Sequence, residues 1–222
     1  MQKLTPKRHS GFSLMEIIVS VVILLVLAVV LWSVMRSASA KAKGIKCSGN
    51  LKNIYVASMA YAVEHNGYLP RYRASGNGPF WQSRIKPYLD GSVFGDSSPY
   101  TIRCPSQPGW YSSFHYAMNA GISSSETPDG SWKFQSIAVP SEGFFVTDTP
   151  LEKNVSWRVT YANIDPAQSD CLIGYNHGEK ANLLFLDGHV EARAPQQIPQ
   201  PEQRPGNHPR HLEWQRFWRP DL

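Results

Sequence analysis

Charge is the first thing this chain withholds. From Ile17 to Met35 it has none, over 19 residues. Proline is absent from Glu16 to Leu69, so nothing in that span forbids a continuous helix. Cysteine is scarce, with 3 in 222 residues (Cys47, Cys104 and Cys171). None forms a C-x-x-C pair, which removes zinc-ribbon and thioredoxin motifs. The apolar run has no A-x-A exit, which argues against an ordinary cleaved secretory signal. A basic excess is nearly missing as well. The net charge of +5 is 22 Lys+Arg against 17 Asp+Glu, and Lys3, Lys7 and Arg8 supply three of the positives. Without the first eleven residues the balance is 19 against 17, or +2. With no RNA- or DNA-binding module present, nucleic acid is not an expected partner.

What is there begins with length. The chain suits one membrane segment plus one domain of ordinary size. Ile17–Met35 is long enough to cross a bilayer as a helix. Arg36, Lys41, Lys43 and Lys46 flank one end and the basic leader the other, so charge asymmetry does not set the orientation. Beyond the run, Leu51, Ile54, Tyr55, Ser58, Tyr61 and Ala62 recur at three- and four-residue spacing, one mostly apolar stripe. "HNGYLP" then supplies a stop: Asn66-Gly67 suits a left-handed C-terminal cap, and Pro70 blocks resumption. The pattern predicts one helix from about Ser13 to about His65, with Gly44 and Gly49 as weak points.

After Pro70, glycine, proline, serine and aromatics rise. "FWQSRIKPYL" reads as a short helix, and "FHYAMN", "GFFVTD" and "ANLLFLDGHVEAR" as strands. The last is a hairpin in which Asp187-Gly188 is a favoured two-residue turn. Trp81, Tyr88, Trp110, Tyr111 and Phe114 read as core rather than as a ligand surface. The expected fold is α+β, a long N-terminal transmembrane and amphipathic helix on a small antiparallel sheet. The segments are a leader at 1–11, an apolar helix at 12–35, its amphipathic continuation at 36–66, a globular part at 67–194 and a Pro-rich tail at 195–222. The tail has too little core to fold alone.

One charge interrupts the apolar start, Glu16 in "GFSLMEIIVS". A carboxylate at such a position costs about 3 kcal/mol unless it finds a partner. The basic leader, Gly11, Phe12, Glu16 and the charge-free span together resemble the N-terminal processing segment of type IV pilins and type II secretion pseudopilins. The resemblance implies cleavage after Gly11 by a prepilin peptidase and methylation of the new N-terminal Phe12. Glu16 becomes the fifth mature residue. In the filament it would meet the Phe12 amine of a neighbouring subunit. A buried pair missing one member is strongly unfavourable, so Glu16 would select correctly docked, processed subunits.

A second resemblance covers much of the rest. "CSGNLKNIYVASMAYAVEHNGYLP", Cys104-Pro105-Ser106, Tyr116-Ala117-Met118-Asn119, and His177 followed after nine residues by Asp187-Gly188 look like a bacterial branch of prepilin-like proteins. By spacing alone the three cysteines permit three pairings; the family-like contexts "CSGNLK" and "RCPS" favour Cys47–Cys104. The resemblance brings no activity for the late His-x9-Asp-Gly element. Asp187 suits a turn through its own backbone hydrogen bonds, and His177 reads as a pin that bonds a loop carbonyl or Asp187. A metal or acid–base site of His177, Asp187 and His189 is the alternative. Some pseudopilins use calcium in a C-terminal loop; Asp148, Asp165 and Asp170 would be the carboxylates here, although no hard-cation motif is present.

The expected function is structural: a non-enzymatic subunit without a required cofactor, anchored once in the bacterial inner membrane with its globular part extracytoplasmic. Its implied partners are the peptidase, other pilin or pseudopilin subunits and the assembly platform. The competing class is a signal-anchored extracytoplasmic enzyme or ligand-binding protein that uses the His177/Asp187 region.

Overall fold

The computed structural model describes residues 13–71, 80–89, 94–95, 98–107, 115–122, 132–150, 158–159, 173–199 and 211–219. The leader with Gly11, together with Phe12, Trp110, Tyr111, Phe114, Asp165, Asp170 and Cys171, lies outside them. The chain divides into two compact units, Met1–Lys41 and Ala42–Leu222.

Helix α1 (Leu14–Glu64) supplies the first unit and begins the second. From Leu14 to Met35 every large apolar side chain is exposed, between 47% and 78%. The segment is long and apolar enough to cross a membrane. Its serines are satisfied inside the helix: Ser20 Oγ donates to the Glu16 carbonyl at 2.7 Å and Ser33 Oγ to the Val30 carbonyl at 2.8 Å. Internal satisfaction of polar groups is what lipid demands. Arg36 lies over the Trp32 ring at 5.3 Å, an amphipathic pair suited to the edge of an apolar slab.

In the second unit α1 turns one face inward. Cys47, Asn50, Leu51, Ile54, Ala57, Ser58, Tyr61 and Ala62 are buried, at the spacing of a single helical stripe. Full burial of one Leu or Ile side chain contributes about 2 kcal/mol. The helix ends on a Schellman cap. Asn66 (φ 56°) is left-handed, and Gly67 N–H donates back to the Ala62 carbonyl at 2.8 Å, the long-range bond of that cap.

Strands β1 (Phe94–Gly95) and β2 (Ser98–Ile102) form a two-stranded ribbon. The main sheet contains β3 (Tyr116–Asn119), β4 (Phe144–Asp148), β5 (Arg158–Val159), β6 (Ala181–Phe185) and β7 (Val190–Arg193), in the order β5-β3-β4-β6-β7. Four of these strands are antiparallel neighbours; β5 adds a short parallel edge beside β3. "FWQSRIKPYL" forms α2 (Trp81–Ile85) and a following 3-10 turn, with Trp81 wholly buried.

The sheet is covered on both faces. Tyr116, Met118, Phe145, Val146, Leu184 and Leu186 pack with the inward stripe of α1. Ala117, Phe144, Ala181, Leu183 and Phe185 pack on the opposite face. Phe145 and Val146 share a face although adjacent, because a bulge lies between Phe144 and Val146, and an extra residue breaks the alternation. The back face is closed by α3 (His211–Trp218). Phe217 stacks on Phe144 at 4.8 Å, Trp218 meets the same ring edge-on at 5.0 Å, and Trp218 Nε1 donates to the Pro199 carbonyl at 2.9 Å. The tail, with too little core to fold alone, thus lends Ile198, Phe217 and Trp218 to the core of the sheet's second face. It contributes aromatic area that a free tail would leave in water.

Candidate functional site

Two places draw the chemistry of the chain together: the start of α1, and the joint between α1 and the sheet.

At the joint, Cys47 on α1 is bonded to Cys104 in the segment after β2, with Cα atoms 5.1 Å apart. Both cysteines are fully buried. Hydrogen bonds hold the two sides in register. Asn50 Nδ2 donates to the Arg103 carbonyl at 2.6 Å, Cys104 N–H donates to His115 Nδ1 at 3.1 Å, and the Tyr116 hydroxyl donates to the Cys47 carbonyl at 3.4 Å. Burial holds the Tyr116 phenol well above its ordinary range, so it remains a donor.

His177 closes this joint from the third side. A tight turn positions it: Gly178 (φ 64°) and Glu179 (φ 61°) are both left-handed, and His177 N–H donates to the Lys180 carbonyl at 3.1 Å. Two consecutive left-handed residues make the turn that matches strand twist. The imidazole is mostly buried. Its Nε2 lies 3.3 Å from Asp148 Oδ2 and 3.6 Å from Cys104 Sγ, while Nδ1 lies 3.3 Å from Ser106 Oγ. The tautomer protonated at Nε2 fits: Nε2–H donates to Asp148, and Nδ1 accepts from the Ser106 hydroxyl. On its helix side the ring faces Gly44, where an added Cβ would sit 3.5 Å from Nδ1. That is ordinary van der Waals distance, so the ring packs beside Gly44, and α1 runs through this position unbroken.

Asp148 ends β4 and is wholly buried. Its Oδ2 also accepts from Asn182 N–H at 3.0 Å. Burial pushes its carboxyl above the ordinary range, while His177 and Asn182 pull it down. It is a buried partner of His177; Asp165 and Asp170, the other carboxylates suggested for a calcium loop, lie outside the described residues.

Asp187 stands elsewhere. Its Oδ1 is 2.5 Å from His189 Nδ1, with both side chains about two-fifths exposed, and the His189 ring stacks on Phe185 at 4.2 Å. The turn is not the expected two-residue one. Gly188 N–H donates to the Phe185 carbonyl at 3.0 Å, and Phe185 N–H to the His189 carbonyl at 2.9 Å. With Gly188 at φ +91°, this is a three-residue loop with a glycine bulge. A Cβ on Gly188 would approach the Tyr55 ring of α1 to 2.7 Å.

The His-x9-Asp-Gly element is thus one strand with a turn at each end, and both turns meet α1. His177 is seated at Gly44 and Gly188 at Tyr55. His177 therefore pins the joint through Asp148 and Ser106, not through Asp187. The suggested metal or acid–base set of His177, Asp187 and His189 is divided between two clusters. Asp148 and Ser106 are singled out in the sequence, but not as the partners of His177. The signal was a carboxylate ending an apolar strand, "FFVTD".

At the start of α1, Glu16 has no ion-pair partner among the described residues, and its backbone N–H donates to the Ser13 carbonyl at 3.0 Å. The cleavage residues Gly11 and Phe12 lie outside the described part. Residues 6–32 match the family model for the prokaryotic N-terminal methylation motif. No curated protein and no solved structure matches the chain. The N-terminal segment is of the prepilin type, and a long apolar helix packed by its second half on an antiparallel sheet is a pilin-like arrangement.

Proposed function

We propose that this chain is a structural, non-catalytic subunit, inserted into a bacterial inner membrane and assembled into a type IV pilus or a type II secretion pseudopilus. A prepilin peptidase cuts after Gly11 and methylates Phe12. The globular unit is extracytoplasmic, where the Cys47–Cys104 bond is chemically at home. The apolar half of α1 rests in the bilayer, then packs against copies of itself and related subunits on an assembly platform. One observation carries this reading: a prepilin-type segment at residues 6–32 opens a helix whose apolar half is bare throughout. Non-polar surface of that extent needs lipid or protein around it.

Glu16 is the assembly residue. On a helix, the amine of Phe12 and the carboxylate of Glu16 stand four residues apart on one face. During docking the free amine of an incoming subunit pairs with Glu16 of its neighbour, and an unpaired Glu16 in the packed helices is penalised. Glu16→Leu is expected to insert and be cleaved normally but to be missing from sheared filaments. Incorporation at the wild-type level would overturn this role.

A further inference from the structure

His177 is held through both ring nitrogens, and the two bonds differ in kind. Nε2 lies 3.3 Å from Asp148 Oδ2, a carboxylate wholly buried at the end of β4. Nδ1 lies 3.3 Å from Ser106 Oγ. Ser106 is partly exposed, whereas the His177 side chain is 8% exposed and Asp148 not at all. The hydroxyl thus stands at the outer end of a chain whose inner end is a buried carboxylate. Among the described residues Ser106 Oγ has no partner other than His177. With Nε2–H given to Asp148, the Nδ1 lone pair is the acceptor for the serine proton, and either ring nitrogen can act as a base when the other holds the hydrogen. A nucleophile bonded to a base, and the base bonded on its far side to a carboxylate, is the order of groups that makes a serine hydroxyl reactive.

Both sides of the serine are tied down. Cys104 is bonded to Cys47 on α1, and Pro105, between Cys104 and Ser106, has a fixed φ. Gln107, the residue after the serine, donates through Nε2 to the Thr149 carbonyl at 2.5 Å, next to Asp148. The segment carrying the hydroxyl and the strand end carrying the carboxylate are therefore fixed to each other. Such fixing keeps a nucleophile and its base at reacting distance.

We propose that Ser106 is an activated nucleophile that accepts an acyl group from an ester or thioester with a good leaving group. His177 Nδ1 takes the Oγ proton as Oγ bonds the acyl carbon. The donor's carbon–oxygen or carbon–sulfur bond then breaks, and the leaving group takes the proton from Nδ1 and departs as an alcohol or thiol. The acyl group stays on Ser106 as an ester, and the ring is neutral again. Asp148 is a positioning residue: it keeps the other proton on Nε2 and balances the charge the ring carries midway. This modification goes beyond the structural role and does not depend on filament assembly.

The test uses the full chain in detergent, with its disulfide closed and Cys171→Ser so that no thiol competes. The probe is p-nitrophenyl acetate. Peptide mapping should place one acetyl group on Ser106, as an ester removed by neutral hydroxylamine, and Ser106→Ala should lack it. Ser106 in the folded chain should acetylate roughly 100-fold faster than in the same chain unfolded in guanidinium, a comparison that needs no variant at the site. His177→Gln should bring the rate on Ser106 down to the unfolded level. Asp148→Asn should do the same, because an asparagine amide donates to Nε2 and shifts the ring proton to Nδ1; nitrogen NMR of the histidines should show that change of tautomer. Sustained release of p-nitrophenol beyond one per chain would leave the nucleophile standing and contradict the non-catalytic reading instead. Equal acetylation of Ser106 in the folded and unfolded chain overturns the proposal. So does an undiminished rate in His177→Gln, or a wild-type His177 whose proton is on Nδ1.

Discussion

The two halves of α1 meet opposite fates. From Leu14 to Met35 its large apolar side chains are between 47% and 78% exposed, whereas Leu51, Ile54 and Ala57 are wholly buried. The first half is apolar on every side, the second on one stripe only. A helix apolar all round needs a surround that is apolar all round, and one sheet cannot provide it. A one-sided stripe needs only one partner face, which the chain supplies from its own strands. The difference is written in how the apolar residues are spaced: the second half builds the domain, and the first leaves its apolar surface bare.

That contrast can be broken in several ways. The largest effect is expected from removing the Cys47–Cys104 bond, which spans a sequence separation of 57. Cys47→Ser with Cys104→Ser should lower the stability of the globular unit by about 4 kcal/mol, read by denaturant unfolding in detergent. Next comes a matched pair on the same helix. Leu51→Ala should cost about 3 kcal/mol. Leu25→Ala, at a residue 62% exposed, should leave that unfolding curve in place. Equal losses from the two would erase the distinction between the halves.

The smallest effect is a pH dependence inside the second half's joint. Burial raises the Asp148 carboxyl, so the folded chain keeps that proton at pH values where the unfolded chain has released it. The Asp148 contribution to stability therefore falls as pH rises from the ordinary aspartate range through the raised value, and is level above it. Asp148→Asn removes this dependence. The stability difference between wild type and variant should tilt over that window, and a difference independent of pH would contradict the assignment.

The sequence carried local structure well and distant pairing poorly. The ends of α1, its Asn66-Gly67 cap and the strands around Tyr116, Phe144 and Ala181 follow from spacing and turn chemistry, which are properties of neighbouring residues. The partner of His177 is 29 positions away at Asp148, and no periodicity announces such a pair. The Asp187-Gly188 dipeptide suits both a two-residue turn and the three-residue loop observed. The choice rests on register, fixed by pairing Leu184 with Val190. The role of the tail was hidden for a related reason. Phe217 and Trp218 have a place only if the sheet has a second apolar face. That face was visible in "ANLLF", where all five residues are buried instead of alternating, as in sheets covered on both sides.

The most direct test concerns the first residue of the mature chain. Protein extracted from membranes of the native bacterium, or of a host supplied with the prepilin peptidase, should be measured by intact mass and N-terminal sequencing. The account predicts a chain lacking residues 1–11 and beginning with N-methylated Phe12, and an unprocessed chain when the peptidase is absent. A mature protein that begins at any other residue, or keeps its leader in the presence of the peptidase, would contradict it.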